Sequence, residues 1–326
     1  MSGHDWVSAH VFYHGDLDVL VGELISPLTR ELTRRRLARQ FFFLRYWDGG
    51  PHVRLRVRPA RGRSGVEVRE LVERRCDEYL RRRPAPDRLD EKEYARSAAH
   101  MAQWEATTPL PRMYPNNSVV FIPYVREGHR FGDGKSILAI ERHFGESSQI
   151  ALEMLAARPS PDQRATLAFC LILLTWFLCV PESAQLRTYL GVSSAGLATL
   201  PPGWDKQAVS EMEERYRRQY ERLHAIAERM RAATSVLHLL PHKGTNTLWA
   251  RSVTRARDVV ADEIAHGRFV PRRPNRAGAV DTQAAVLRVL DQCAHLMCNR
   301  IGLSIGGESA LRYLAGRTIH DLTKES

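Results

Sequence analysis

The stretch Phe41-Phe42-Phe43-Leu44-Arg45-Tyr46-Trp47-Asp48-Gly49-Gly50-Pro51-His52-Val53-Arg54-Leu55-Arg56-Val57-Arg58 decides the fold. Two β-rich runs flank Asp48-Gly49-Gly50-Pro51, which is turn chemistry, so the segment predicts a hairpin. In the second run His52, Arg54, Arg56 and Arg58 alternate with Val53, Leu55 and Val57. The period of two sends the apolar set to a core and the cationic or ionisable set to the opposite face. Arginines in register on one face repel each other unless an anion sits over them. The face is therefore a candidate carboxylate or phosphate site. A solvated sheet face in an arginine-rich protein is the alternative reading of the same spacing.

Outward from this hairpin, residues 6–14 alternate as a strand, and Asp16 can cap a helix running to about Arg39. The hairpin strands are expected at about 40–47 and 51–58, a helix at about 66–83, another at about 91–105 and a last strand at about 118–124. The order β-α-β-β-α-β predicts an α+β fold, with a ferredoxin-like half built on a four-stranded antiparallel sheet. Such a sheet has two helices on one face, which leaves the arginine face to be covered by the rest of the chain. Residues 135–326 read as mainly helical, with helices at about 135–157, 161–179, 182–191, 205–240, 246–266, 281–301 and 307–314. The expected organisation is a 1–134 portion and a 135–326 portion that covers the free face, forming one unit with a site at the junction. The mixed-charge face after Asp205 reads as a solvated helix surface, and 271–276 as a basic surface loop.

Composition narrows the function classes. A chain of 326 residues with 44% hydrophobic and 26% charged residues is that of a globular protein. The net charge of +11, carried by arginine far more than lysine, favours an anionic partner. Zinc-finger spacing and an aromatic-basic RNA signature are missing, so nucleic acid is not the first choice. Five cysteines, an odd number with apolar neighbours and no CxxC pair, suggest reduced thiols in a cytoplasmic protein. The N-terminus lacks a secretory signal, and the apolar run 165–180 is short and interrupted by Thr175, which suits a buried core helix rather than a membrane span.

Two further constellations carry chemistry. On the helix 281–301, Arg288, Asp291, His295 and Asn299 form a polar stripe, with Asp291 one turn before His295 and able to orient its imidazole. A histidine on a polar helix face is more often plain surface. The segment 124–134, Tyr124-Val125-Arg126-Glu127-Gly128-His129-Arg130-Phe131-Gly132-Asp133-Gly134, joins the two halves, a favoured place for a site. The thirteen histidines show no metal-ligand spacing, and no GxSxG elbow, Walker loop or GxGxxG opens a helix.

The run FFFLRYWDGGPHVRLRV resembles the opening of the C-terminal domain of lantibiotic dehydratases, a domain that also stands alone as the thiopeptide-type bacteriocin biosynthesis family. Tyr124, Glu127, Arg130, Phe131 and Gly132 are similar to its pattern Y-x-P-E-x-x-R-Y-G. His295-Leu296-Met297-Cys298-Asn299-Arg300 is similar to its H-M-H-x-N-R. Trp6, His10-Val11-Phe12-Tyr13 and the stretch from Ile140-Glu141-Arg142-His143-Phe144 to Ser147-Ser148 also fit, so the likeness spans nearly the whole chain. Arg126 stands where the family usually has proline, and Met297 where it often has a second histidine.

The resemblance implies an enzyme that removes glutamate from glutamylated Ser or Thr of a precursor peptide, leaving dehydroalanine or dehydrobutyrine. It implies His295, Arg54, Arg56 and Arg130 as catalytic residues. His52, Arg58, Tyr124, Glu127, Asn299 and Arg300 are then candidates for substrate binding. It implies no metal or organic cofactor. The partners it implies are the precursor peptide, leader and core, and a separate glutamyl-tRNA-dependent dehydratase subunit, because the glutamylating region is absent here. Direct tRNA binding and membrane binding are not expected, and a homodimer stays open. Two alternatives remain. One is a pyridine synthase that joins two dehydroalanines in a formal aza-[4+2] cycloaddition and expels the leader peptide. The other is a non-catalytic scaffold that binds the leader along a sheet edge.

Overall fold

Pairing of the DGGP hairpin with the first strand builds the N-terminal sheet. The computed structural model describes residues 6–87, 89–105, 108–193, 196–197, 203–237, 239–241, 243–271 and 281–324. The expected loop at 271–276 therefore lies outside the described residues, apart from Pro271. The chain divides into two units, Met1–Arg126 with Ala151–Arg158, and Glu127–Ile150 with Pro159–Ser326.

In the first unit β1 (Val7–Phe12), β2 (Ala38–Tyr46), β3 (His52–Pro59) and β4 (Ser118–Phe121) form a sheet in the order β2-β3-β1-β4. Every neighbouring pair is antiparallel. With the intervening helices this is the expected ferredoxin-like arrangement. The turn closes through Gly50 N–H donating to the Trp47 carbonyl at 2.9 Å, with Gly49 at φ +81°. A side chain at Gly49 would meet the Tyr114 ring at 2.9 Å, which is why this corner needs glycine.

One sheet face carries Ala9, Val11, Phe41, Phe43, Val53, Leu55 and Val57, all buried. Helix Gly65–Arg82 packs against β1 and β4, and helix Ser26–Arg34 against β2, turning Val68, Leu71, Val72, Leu28 and Leu32 into this core. Burying each such side chain contributes about 1.5–3 kcal/mol.

The helix after Asp16 differs from its expected form. It runs as Leu17–Leu20, a π segment Val21–Ile25, and Ser26–Arg34. Pro27 has no N–H for the regular ladder, which favours a register shift in the preceding turn. It stops before Arg36, which adopts φ +54°; Arg36 N–H donates to Thr33 O and Leu37 N–H to Leu32 O, a Schellman ending. That ending frees Ala38 to begin β2, so the helix does not reach Arg39.

The second unit is mainly helical. Its helices include Gly134–Ala156, whose last residues belong to the first unit, and Pro161–Cys179, Ser183–Leu190, Lys206–Arg218, Tyr220–Ser235, Thr245–Ala265, Thr282–Arg300 and Ile305–Leu322. Pro161–Cys179 opens with a Ser160–Gln163 capping box and is buried continuously from Ala168 to Cys179. It is the one helix among the described residues long and apolar enough to cross a membrane, and 61% of its apolar window is buried in the protein.

The single helix expected over 205–240 is broken at Gln219, where ψ turns to 6°. No Gly or Pro marks the break. Tyr216 sits there buried, hydrogen bonded to His224 at 3.0 Å and to Asp321 at 2.9 Å, so tertiary polar contacts fix the local path. The last helix is longer than expected because Ser304 caps it ahead of Gly306 and Gly307, and Gly316 lies within it. All five cysteines are buried free thiols.

Candidate active site

The arginines of β3 share their face with Ser8 and His10 of β1 and with Phe42 and Tyr46 of β2, through the pairs His10↔Arg54, Ser8↔Arg56, Phe42↔Arg56 and Tyr46↔His52. Ser8, His10, Phe12, Phe42 and His52 are buried while Arg54, Arg56 and Arg58 are half-buried, so the face is not a solvated one. Each guanidinium lies against an aromatic ring: Arg54 over Tyr46 at 3.4 Å, Arg56 over Tyr124 at 4.5 Å and Arg58 over Trp6 at 5.8 Å. Such stacking favours the cation and sets the guanidinium plane.

His52 is 0% exposed. Its Nδ1 lies 2.8 Å from the Gly50 carbonyl, and Arg54 Nε donates to its Nε2 at 3.2 Å. The contacts fix a neutral imidazole with the proton on Nδ1. Burial first, then the charges of Arg54 and Arg56, push its pKa down to about 3, against the backbone bond to Gly50. Stacked beside it, at 5.1 Å between rings, His10 is pushed down to about 2 by burial and Arg54. His52, expected among the substrate-binding residues, is buried and accepts from Arg54 Nε.

Tyr124 is buried and packs edge-on to Trp6 and Phe42 beneath Arg56. The rest of its motif belongs to the second unit. Glu127 and Arg130 form an ion pair at 3.2 Å across the short helix Gly128–Phe131, both about half exposed. Gly132 closes the turn at φ +76°, and a side chain there would come within 2.8 Å of Phe269.

His295 occupies the helix Thr282–Arg300, capped by Asp281. Its side chain is 30% exposed, and its Nδ1 lies 2.8 Å from Oε2 of Glu308, which is 7% exposed. Arg312 Nε donates to Glu308 Oε1 at 2.7 Å, and its Nη1 to Asp291 Oδ1 at 2.5 Å. Trp176 Nε1 donates to the same Asp291 oxygen at 2.7 Å. Burial pushes the Glu308 carboxyl up, but His295 and Arg312 outweigh it and hold it below the usual carboxylate range.

The carboxylate on His295 is thus Glu308 on the next helix. Asp291, the neighbour expected from spacing, reaches the histidine only through Arg312 and Glu308. With Nδ1 engaged, Nε2 is the nitrogen left to exchange a proton with substrate. Glu308 was missed because thirteen residues of sequence separate it from His295. The one signal was a carboxylate in the first turn after a serine cap.

Arg300 is 0% exposed, with Nε on Ser148 Oγ at 3.0 Å and the guanidinium 5.4 Å from Phe144; it joins two helices. Asn299 is half-buried on the same helix as His295. Among the described residues no three His, Cys, Asp or Glu side chains group as a metal site.

Solved structures similar to the chain include the pyridine synthase TbtD from thiomuracin biosynthesis, at 21% identity and a TM-score of 0.75 over 99% of this chain and 100% of that one. TsrL matches at 17% identity and a TM-score of 0.68, over 98% and 95% of the two chains. The tRNA-dependent lantibiotic dehydratase MibB from Microbispora sp. 107891 matches at 17% identity and a TM-score of 0.55, over 100% of this chain but only 29% of that one. No curated protein sequence matches. The family model for the lantibiotic biosynthesis dehydratase C-term matches residues 6–319. The chain therefore belongs to the lantibiotic biosynthesis dehydratase C-terminal family, among enzymes that modify ribosomally made peptides.

Proposed function

We propose that the chain is a pyridine synthase acting on a peptide that already bears two dehydroalanines. The observation that supports this reading is the degree of likeness: a TM-score of 0.75 at 21% identity to the thiomuracin enzyme, against 0.55 at 17% to the tRNA-dependent dehydratase. This reverses the preference that the arginine and histidine set suggests by itself.

In the reaction, one dehydroalanyl amide rearranges to its iminol, giving a 2-azadiene. Two carbon–carbon bonds form between that diene and the alkene of the second dehydroalanine. Water leaves from the former carbonyl carbon, and the leader peptide leaves as its C-terminal amide, which yields the aromatic ring. Iminol formation and the two eliminations move protons, and His295, with Nδ1 held by Glu308, is the acid/base group for them through Nε2. Arg54 and Arg56, held on a strand against aromatic rings, supply fixed positive charge for the peptide carbonyl oxygens that gain negative charge.

The second reading is glutamate elimination from a glutamylated peptide supplied by a separate glutamyl-tRNA-dependent subunit. It is favoured by the presence of Arg54, Arg56, Arg130 and His295 at the positions the resemblance implies. Mass spectrometry of two incubations separates the readings. With a peptide bearing two dehydroalanines, loss of water and of the leader amide is expected. Loss of glutamic acid from a glutamylated peptide, with no ring formed in the first incubation, would replace cyclisation by elimination. Unchanged peptides that nevertheless bind would leave the scaffold reading.

A further inference from the structure

The corner of the β2–β3 hairpin is pinned at each of its four residues. Leu110 N–H donates to Asp48 Oδ1 at 2.7 Å, and Gly49 N–H donates to the Tyr94 hydroxyl at 2.8 Å. Tyr114 N–H donates to Gly49 O at 2.8 Å, Gly50 N–H to Trp47 O at 2.9 Å and Tyr13 N–H to Pro51 O at 3.0 Å. The Gly50 carbonyl faces Nδ1 of His52 at 2.8 Å. A carbonyl only accepts, so Nδ1 carries the hydrogen and Nε2 keeps its lone pair. Arg54 Nε donates to that lone pair at 3.2 Å. Other rings close round the imidazole, with centroids at 4.4 Å for Phe12, 5.1 Å for His10 and 5.8 Å for Tyr46. Tyr114 stacks behind Phe12 at 4.6 Å. Close packing on all sides fixes the orientation of the His52 ring.

We infer that His52 and Tyr46 are positioning residues, which hold the Arg54 guanidinium in one orientation before the peptide reacts. The inference rests on Arg54 acting on the bound peptide, as proposed above. A guanidinium turns about its Cδ–Nε bond and swings on a flexible stem. Here Nε–H is anchored on His52, and the flat face lies 3.4 Å from the centroid of the Tyr46 ring. The first contact fixes the direction of the fork and the second fixes its plane. Tyr46 is itself backed by Trp47, stacked at 5.7 Å. Ordering the side chain in advance removes that entropic cost from the reacting step. A neutral histidine suits the place because it offers one donor and one acceptor on a rigid ring. Burial, then the charges of Arg54 and Arg56, disfavour its protonated form, so the acceptor persists at neutral pH. The order of influence runs from the glycine turn to the imidazole and from the imidazole to the guanidinium.

Steady-state kinetics of the whole chain on the peptide bearing two dehydroalanines test this role. A glutamine amide reaches about as far as imidazole Nε2 and accepts from Arg54, whereas an asparagine amide ends about where Nδ1 lies. His52→Asn should lower kcat about tenfold, inside the roughly 10²-fold that a misplacement of about 1 Å costs, with KM within about threefold. His52→Gln should recover most of that loss. Tyr46→Leu should lower kcat and Tyr46→Phe should not, because the guanidinium lies on the ring. Val57→Ala, in the core on the other face of β3, is the stability control. It should melt earlier and keep its kcat at a temperature where every variant is folded. Nitrogen-15 NMR of arginine reads the anchor without turnover: exchange of the Arg54 Nε–H with water should quicken in His52→Asn and slow again in His52→Gln. Unchanged exchange in His52→Asn, wild-type kcat in that folded variant, or equal losses in the Asn and Gln variants would each overturn the role. Should both His52 variants melt early, the half-buried Tyr46 pair decides, and wild-type kcat in Tyr46→Leu overturns it. A wild-type chain that forms no ring sinks the proposed function instead, and the same variants are then judged on glutamate elimination. Turnover of neither peptide overturns both.

Discussion

His52 and His295 show how one residue type is assigned opposite duties. On the sheet, His52 accepts from a cation, Arg54, and is sealed from solvent. On the helix, His295 faces an anion, Glu308, and is 30% exposed. The first environment fixes a neutral ring. The second holds one ring nitrogen on a carboxylate acceptor and leaves the ring partly open to solvent. The proposed function accordingly assigns proton chemistry to the helical unit and fixed positive charge to the sheet.

The largest expected effect tests that division. His295→Ala should lower turnover by about 10²–10⁴-fold, the usual contribution of a general acid or base. Peptide affinity should stay within a few fold. Glu308→Gln should lower turnover by up to about 10²-fold, because the ring loses the carboxylate that orients it. Asp291→Asn, one step further out, should lower it less. Equal loss from all three, matched by equal loss of thermal stability, would mean that the cluster only holds the helices together.

Much of this was legible in the residues. Alternation around Asp48-Gly49-Gly50-Pro51 was enough for the hairpin and its arginine face, because a strand's period and a turn's chemistry are local, and the β-α-β-β-α-β succession of elements was enough for the sheet. The polar stripe carrying His295 was visible for the same reason. The partner of His295 was not, since pairing between helices leaves no spacing to read. The break at Gln219 was hidden too, because buried polar contacts of Tyr216 override a helical pattern that is locally sound. Nor could His52 be told from its neighbours on β3: alternation gives the face of a side chain, not its depth.

Acid sharpens the contrast next. Burial, more than any neighbouring charge, pushes His10 down to about 2 and both His52 and His143 to about 3. In the unfolded chain these histidines titrate near 6.5. Above that pH both states are neutral and the groups contribute nothing. Below it the unfolded chain gains protons that the folded chain refuses, so stability falls as pH drops from 6.5 towards 3. The slope is about 1.4 kcal/mol per pH unit for each histidine, or up to about 4 kcal/mol for the three between pH 6.5 and 5.5. Urea unfolding at pH 7.5 and 5.5 reads this directly, and a flat result would show that these rings are not buried as neutral groups.

A smaller effect is expected at Gly132. Alanine there would be forced into positive φ with its Cβ 2.8 Å from Phe269 and 2.9 Å from Ser136 Cβ. Backbone strain and overpacking together should cost about 1–3 kcal/mol. The loss should appear as a lower urea midpoint with an unchanged slope, and activity should return where the protein is folded. Activity lost in a fully folded Gly132→Ala protein would instead make the Glu127–Arg130 turn part of the reaction.

The smallest effect is expected where the charges are most visible. Arg75 donates to Glu31 through Nε at 2.8 Å and Nη2 at 3.0 Å, a bidentate pair, and to Glu78 through Nη1 at 2.8 Å. Arg312 likewise bridges two acidic side chains, with one bond each to Glu308 and Asp291 and a third to the Asp291 carbonyl. The settings differ, for the Arg75 side chain is 36% exposed and that of Arg312 is 18% exposed. Water screens the first trio and supplies substitute hydrogen bonds when the arginine is removed, so Arg75→Ala should change stability by no more than about 1 kcal/mol. Raising the salt concentration should erase most of that difference, since exposed pairs are screened within about 10 Å at 0.1 M. A loss several times larger, and insensitive to salt, would show that the rim of the sheet unit relies on its ion pairs as the helical unit relies on the Asp291–Arg312–Glu308 chain. Depth, rather than hydrogen-bond geometry, would then have been the wrong axis along which to separate the two units.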